Sequence, residues 1–195
     1  MTRPRILAFS GSARGASFNQ RLVEHAARHA VDLGAEVTVI NLRDFPMPLM
    51  NQDLEREEGV PAEALRLKSL LAAHDGILLS APEYNSSITP LLKNSLDWVS
   101  RRVGDEAPML AFRGKTAALL SASPGRLGGL RGLVHVRAIL NNLGVLVLPG
   151  QVSIPSAGTA FDETGGLAND ADRKRIAHLV GELLDMLRRL SPGGN

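Results

Sequence analysis

An α/β fold is predicted for this 195-residue chain: five parallel strands in one doubly wound sheet, with helices on both faces. Three observations predict it. Short apolar runs of the kind that strands buried on both faces show alternate with longer stretches of helical periodicity. The alternation runs through five units, and a strand–helix–strand repeat makes a parallel sheet. Right-handed crossovers leave two main doubly wound orders, of which five units in one domain suit 2-1-3-4-5.

The elements follow in order. Ile6–Ser10 is the first buried strand. Phe18 to Leu33 carries Leu22, Val23, Ala26, Ala27, Ala30 and Val31 at helical spacing, and Gly34 ends the helix. Glu36–Leu42 is rich in β-branched residues and reads as the second strand. Arg43–Pro61, with three prolines and several charges, reads as a long surface loop before a helix over Ala62–Ala73. Gly76–Pro82 is the third strand. Pro90 then opens a helix to about Arg102, as proline does at a first helical position. Lys115–Ala122 is the fourth strand, followed by the glycine-rich Ser123–Gly129 and a helix to about Leu143. Val145–Ile154 is the fifth. After a polar connection, Asp170 is placed to cap a last helix whose Ile176, Leu179, Val180, Leu183, Leu184 and Leu187 form an apolar stripe. Residues 191–195 read as a frayed tail.

Composition narrows the function classes. Hydrophobic residues at 44% and charged residues at 22% suit one globular domain. The 22 basic and 20 acidic residues leave a net charge of +2 with no Lys/Arg block, so nucleic acid is not an expected partner despite a pI near 9.4. Cysteine is absent, which excludes a disulfide framework, thiol redox chemistry and cysteine metal sites. Electrons, if this chain moves them, must travel on a bound cofactor. No signal-peptide core and no apolar run near the ~20 residues of a membrane span are readable, so a cytoplasmic protein off the membrane is expected.

In such a sheet, ligands bind beyond the carboxyl ends of the strands, where strand order reverses. For 2-1-3-4-5 that is between strands one and three. Three loops meet there: Ser10–Asn19, Pro82–Thr89 and Ser121–Gly129. In the first, Gly11 and Gly15 allow close backbone approach. Ser12 and Ser17 offer hydroxyls, Arg14 offers a planar cationic fork, and the following helix offers unpaired N–H groups. Residue by residue, a local reading stays open: Ser17 and Gln20 form a helix capping box, Ser12 suits a turn, and Arg14 suits solvent. As a set after strand one, they favour a phosphate site. In the second loop Tyr84, the sole tyrosine, either covers a flat ring or packs on a partner, and Asn85 either bonds a ligand or turns the chain.

Elsewhere the readings are structural. His25 and His29 have a metal-capable i,i+4 spacing but no third ligand, and read as solvated or partly packed. Trp98 reads as core or interface. Arg101 and Arg102 either favour the end of their helix or reach toward the open ligand face.

The loops carry a resemblance. Gly11–Asn19, "GSARGASFN", resembles the phosphate loop of the NAD(P)H-dependent FMN reductases, in the flavodoxin-like fold. "PEYN", Pro82–Asn85, resembles their flavin-edge loop, and Ser121–Gly129 their third flavin loop. Leu91–Arg101 resembles the helix between, and the likeness spans about Arg5 to Leu190, nearest to the branch of chromate reductases, quinone reductases and azoreductases. It implies bound FMN with NADPH or NADH as co-substrate, and ping-pong turnover onto quinone-like, chromate, azo or flavin acceptors. It places Ser12, Arg14, Ser17, Phe18 and Asn19 on the phosphate and ribityl chain. Pro82, Glu83, Tyr84 and Asn85 line the isoalloxazine, and Ser123 and Gly125 meet its other edge. It assigns no catalytic side chain and no metal. It also implies a homodimer or homotetramer, with Phe45–Gly59 near the contact. A flavodoxin-type electron carrier, or a reductase supplying free reduced FMN to a monooxygenase, is the alternative.

Overall fold

The computed structural model describes residues 3–191. Its five strands are β1 (Arg5–Ser10), β2 (Glu36–Val39), β3 (Gly76–Ser80), β4 (Thr116–Ala122) and β5 (Leu146–Ile154). All pairings are parallel and the order is β2-β1-β3-β4-β5, as the alternation predicts. The helices are α1 (Phe18–Asp32), α2 (Gln52–Glu58), α3 (Ala62–Ala73), α4 (Pro90–Val99), α5 (Leu130–Asn142) and α6 (Asp170–Leu190).

The period of two along each strand splits the core into two layers. Ile6 and Ala8 of β1, with Leu78 of β3 and Leu120 of β4, face one layer beneath α1 and α6. Leu7 and Phe9, with Ile77, Leu79 and Leu119, face the other beneath α3, α4 and α5. Every residue of β3 and β4 is buried, so these two strands form the rigid centre from which the ligand loops spring.

Several boundaries differ from the sequence reading, each for a local reason. Arg43–Pro61 is not simply a loop: it holds a 3₁₀ turn at Leu42–Asp44 and the seven-residue α2. Asn41 and Asn51 cap these two elements through their side-chain oxygens, and the Asn41 cap also stops β2 short of Leu42. Because α2 buries no residue, it has no apolar stripe to betray it. The stretch between the 3₁₀ turn and α2 is held by α4: Asn94 Nδ2 and Trp98 Nε1 both donate to the Pro48 carbonyl at 2.8 Å, and Asn94 Oδ1 accepts from Met50 N. Trp98 is fully buried. Helix α4 ends at Val99, not Arg102, and Arg101 turns to pair with Glu55 of α2 at 2.7 Å. Asn169, not Asp170, caps α6, accepting from two backbone N–H groups. In β5 the register slips at Pro149-Gly150, and the Arg137 guanidinium collects the carbonyls of Val147, Leu148 and Pro149. Ser191 closes α6, while the remaining residues of the expected tail, 192–195, lie outside the described residues.

Candidate functional site

The carboxyl ends of β1, β3 and β4 open into one small crevice at the switch point between β1 and β3. Nine of the sequence-predicted site residues line it: Ser12, Arg14, Ser17, Phe18 and Asn19 from the first loop, Pro82, Glu83 and Tyr84 from the second, and Ser123 from the third. Ala122 and Pro124 complete the wall. Asn85 and Gly125 are not part of it.

Loop one is held by hydrogen bonds of its own and by its contact with α4. Gly11 N donates to the Ser80 carbonyl at 3.0 Å, extending the β1–β3 ladder by one bond. A side chain at Gly11 would put Cβ 3.1 Å from two carbons of Leu92, tighter than ordinary packing, so glycine suits the close approach of this loop to α4. Thr89, the N-cap of α4, fixes the other side of that contact by donating to the Gly11 carbonyl at 2.6 Å. Ser10 Oγ accepts from Ser12 N, and Ser12 Oγ accepts from Arg14 N at 3.3 Å. Ser17 caps α1, its Oγ accepting from Gln20 N at 3.2 Å. The capping box is half formed, because the Gln20 side chain turns instead to Glu24. The Ser12 and Ser17 oxygens thus accept from backbone while their hydroxyl protons stay available. The exposed Arg14 guanidinium makes no hydrogen bond among the described residues.

Asn19 plays a structural part. It is buried, and its Nδ2 donates to the Ala122 carbonyl at 2.8 Å. Its Oδ1 accepts from Ala122 N and from Ser80 Oγ, both at 2.9 Å. Three of the amide's four hydrogen-bonding positions are occupied, leaving one N–H for the crevice. Ala81 N bonds the Leu120 carbonyl, so the β3-facing groups of β4 recur two residues on, at Ala122, after β3 has turned away. The Asn19 amide takes the place of the missing β3 peptide and locks α1 to both strand ends.

Loop two is a tight hairpin. Tyr84 and Ser87 exchange backbone hydrogen bonds of 2.9 and 3.0 Å, and the two residues between, Asn85 (φ 49°) and Ser86 (φ 65°), are left-handed. This is a two-residue turn of the primed type, and Asn tolerates that backbone best after Gly. Asn85 is therefore accounted for by the turn. Glu83 anchors the hairpin: its Oε1 accepts from the Arg131 guanidinium at 2.8 and 3.0 Å, and its Oε2 from Gly132 N at 3.0 Å. Burial alone would raise the Glu83 pKa, but the Gly132 amide at the start of α5 and the Arg131 cation outweigh it and hold the carboxyl below its ordinary range. Ser87 Oγ pairs with His135 Nδ1 at 2.8 Å, a second tie to α5. Tyr84 stands at the tip, 50% exposed.

In loop three, Ser121 Oγ donates to the Gly128 carbonyl and Ser123 Oγ accepts from Gly125 N. A Cβ on Gly128 would lie 2.7 Å from the Ile154 carbonyl carbon, so the loop is pressed onto the end of β5. Phe18 stacks on Phe161 with centroids 6.2 Å apart, tying α1 to the connection before α6.

Residues outside the crevice fall as follows. His25 is buried beside His29, their rings edge-on at 4.9 Å, and no group of three or more metal-ligating residues exists among the described residues. Arg101, committed to Glu55, does not line the crevice. Arg43, assigned by sequence to a surface loop, instead lies against loop one: its Nε and Nη2 donate to the Ala13 carbonyl at 3.0 and 2.8 Å. Its only sequence signal is the Asn41-x-Arg43 turn, which says nothing of a target 30 residues back.

A family model described as NADPH-dependent FMN reductase matches residues 4–159, which include all three loops. The chain belongs to the NADPH-dependent FMN reductase family. It is 37% identical over 188 residues to an NAD(P)H-dependent FMN reductase of Pseudomonas aeruginosa, covering 95% of this chain and 96% of the relative. It is 34% identical over 201 residues to an NADPH:quinone oxidoreductase of Arabidopsis thaliana, at 95% and 93% coverage. Among solved structures, the flavoenzyme NAD(P)H:(acceptor) oxidoreductase FerB of Paracoccus denitrificans superposes with a TM-score of 0.78 at 24% identity, covering 95% and 98% of the two chains. A flavodoxin from the domain Archaea gives 0.63 at 10% identity, covering 94% and 99%. These two likenesses are likenesses of fold, and they place the chain among flavodoxin-like proteins.

Proposed function

We propose that the switch-point crevice holds FMN, and that the chain is an oxidoreductase drawing electrons from NADPH or NADH and passing them to small acceptors such as quinones. One observation carries this: the first loop presents a set made only of donors. The Ser12 and Ser17 hydroxyl protons, the uncommitted Arg14 guanidinium and the N-terminus of α1 suit a phosphate monoester. The one carboxylate in the wall, Glu83, is already neutralised by Arg131 and the Gly132 amide, so it does not repel an anion. The residues fit the group.

FMN, when bound, supplies the hydride and electron chemistry. The chain's part is to bind, orient and leave one face open. Arg14, Ser12 and Ser17 would hold the phosphate; Asn19 keeps the strand ends in register. Pro82, Glu83 and Tyr84 of the hairpin and Ser123 of the third loop would hold the flavin ring. The reading extends to chromate and azo compounds as further small acceptors.

A homodimer or homotetramer is part of this reading. Leu130 and Val134, one turn apart on α5, and Leu127 in the loop just before it stand 41–58% exposed, next to the hairpin that Arg131 and His135 fasten. Sedimentation of the native chain tests it, and a monomer at micromolar concentration contradicts it. No described helix is long and apolar enough to cross a membrane, and the cytoplasm is the proposed location.

Parallel titrations with FMN and riboflavin, native chain against Arg14→Ala, test the phosphate assignment. Native protein should prefer FMN, and the variant should lose most of that preference, at least about tenfold in Kd. A variant that binds FMN like the native chain would remove the phosphate from loop one.

A further inference from the structure

Arg43 has no place in the reading so far, yet its guanidinium clamps the backbone of loop one from outside it. It sits in the 3₁₀ turn Leu42–Asp44, whose Leu42 is buried and whose N-cap Asn41 accepts from Arg43 N at 3.0 Å. The turn therefore has a fixed seat. From it the guanidinium donates twice to the Ala13 carbonyl, at 2.8 and 3.0 Å. The guanidinium passes close to Gly15: a Cβ there would sit 3.7 Å from Arg43 Nη2, in ordinary van der Waals contact.

The two ends of a trans peptide point in opposite directions. With the Ala13 carbonyl drawn outward to Arg43, the N–H of the same peptide unit, that of Arg14, points inward. It lands on Ser12 Oγ at 3.3 Å, while Ser12 N is itself held by Ser10 Oγ at 3.2 Å. Ser12 is 7% exposed and lines the crevice. Its oxygen accepts on the backbone side, so its proton is left for the crevice. Hydrogen bonds in series polarise one another, and a cation at the head of the series strengthens each in turn.

We propose that Arg43 is a positioning residue for the phosphate loop: by clamping the Ala13 carbonyl it sets the Arg14 N–H on Ser12 Oγ and turns the Ser12 hydroxyl proton toward a bound phosphate. The inference rests on the FMN reading, and adds to it a residue that never touches the ligand. It also removes a hazard, because an Ala13 carbonyl turned inward would set a partial negative charge against the anion.

The test is a mutant cycle on FMN and riboflavin dissociation constants, using Arg43→Met, Arg43→Lys, Ser12→Ala and the Arg43→Met/Ser12→Ala pair. Arg43→Met should weaken FMN about tenfold and leave riboflavin unchanged, because riboflavin has no phosphate. Arg43→Lys, which keeps a cationic donor, should recover most of the loss. In the Ser12→Ala background the Arg43→Met loss should fall to within about twofold of none, since the hydroxyl it acts through is gone. Equal losses on both flavins would make Arg43 a general brace and overturn the proposal. So would an undiminished loss in the Ser12→Ala background, which would mean that Arg43 acts by charge alone. A native chain that binds FMN no tighter than riboflavin would overturn the phosphate site itself, and this inference with it. A native preference for FMN that survives Arg43→Met overturns only the role of Arg43.

Discussion

Replacing Asn19 with alanine removes the amide that continues the sheet past the end of β3. Two backbone groups of Ala122 lose their partner, the N–H at 2.9 Å and the carbonyl at 2.8 Å, and Ser80 Oγ loses its acceptor. All three lie in buried residues. An orphaned buried donor or acceptor costs about 1–3 kcal/mol. Ser80 can rotate to a new acceptor, and the adjoining crevice lets water reach Ala122, so the loss falls well below the sum of three such terms. We expect roughly 3 kcal/mol. For a chain of this size that is a melting point lower by about 6–12 °C. Urea unfolding of Asn19→Ala against the native chain measures it directly, with Ser80→Ala, expected at about 1 kcal/mol, as the internal comparison. A loss under 0.5 kcal/mol with unchanged m-value would show that Asn19 is not the pin between α1, β3 and β4, and would return it to a purely ligand-facing role.

Three further outcomes follow from particular contacts. Gly11→Ala should cost about 1–3 kcal/mol in urea unfolding and weaken FMN, because its Cβ would meet Leu92 at 3.1 Å; native-like stability would mean that α4 moves freely. The His25 imidazole is pushed down to about 4 by burial, with His29, Arg28 and Arg173 adding to it. The unfolded chain takes up that proton near pH 6.5, so stability present above pH 6.5 is lost as the pH falls toward 4, by up to about 3 kcal/mol. Urea midpoints across that range should fall less steeply for His25→Phe; identical slopes would refute the assignment. Glu83→Gln should lose about 1 kcal/mol by the same assay at pH 7, since the Arg131 partner is half exposed and the remaining gain is the carboxylate at the start of α5. An unchanged midpoint would show the hairpin to be held by its own turn.

The strands were legible because β3 and β4 are buried on both faces, and a continuous apolar run has few other uses. The donor set of loop one was legible for a related reason: Ser12, Arg14 and Ser17 lie within six residues, before a helix start. What escaped was non-local or ambiguous. Asn19 at the start of a helix looks the same whether it faces a ligand or pins two strands, and only the position of Ala122, 103 residues on, separates the two. Asn85 fits either a ligand contact or a left-handed turn, and the neighbouring Ser86 conceals the turn because glycine usually marks it. Arg43 acts across 30 residues from a stretch whose prolines suggest only a loop. Helix α2 left no periodic trace because nothing in it is buried.

The measurement that bears most directly on the central claim is the visible absorption spectrum of the purified chain mixed with FMN, before and after anaerobic NADPH and then NADH. Flavin that stays with the protein through gel filtration and loses its colour on addition of either nucleotide is the predicted result. Flavin that elutes apart from the protein, or bound flavin that neither nucleotide bleaches, would contradict it.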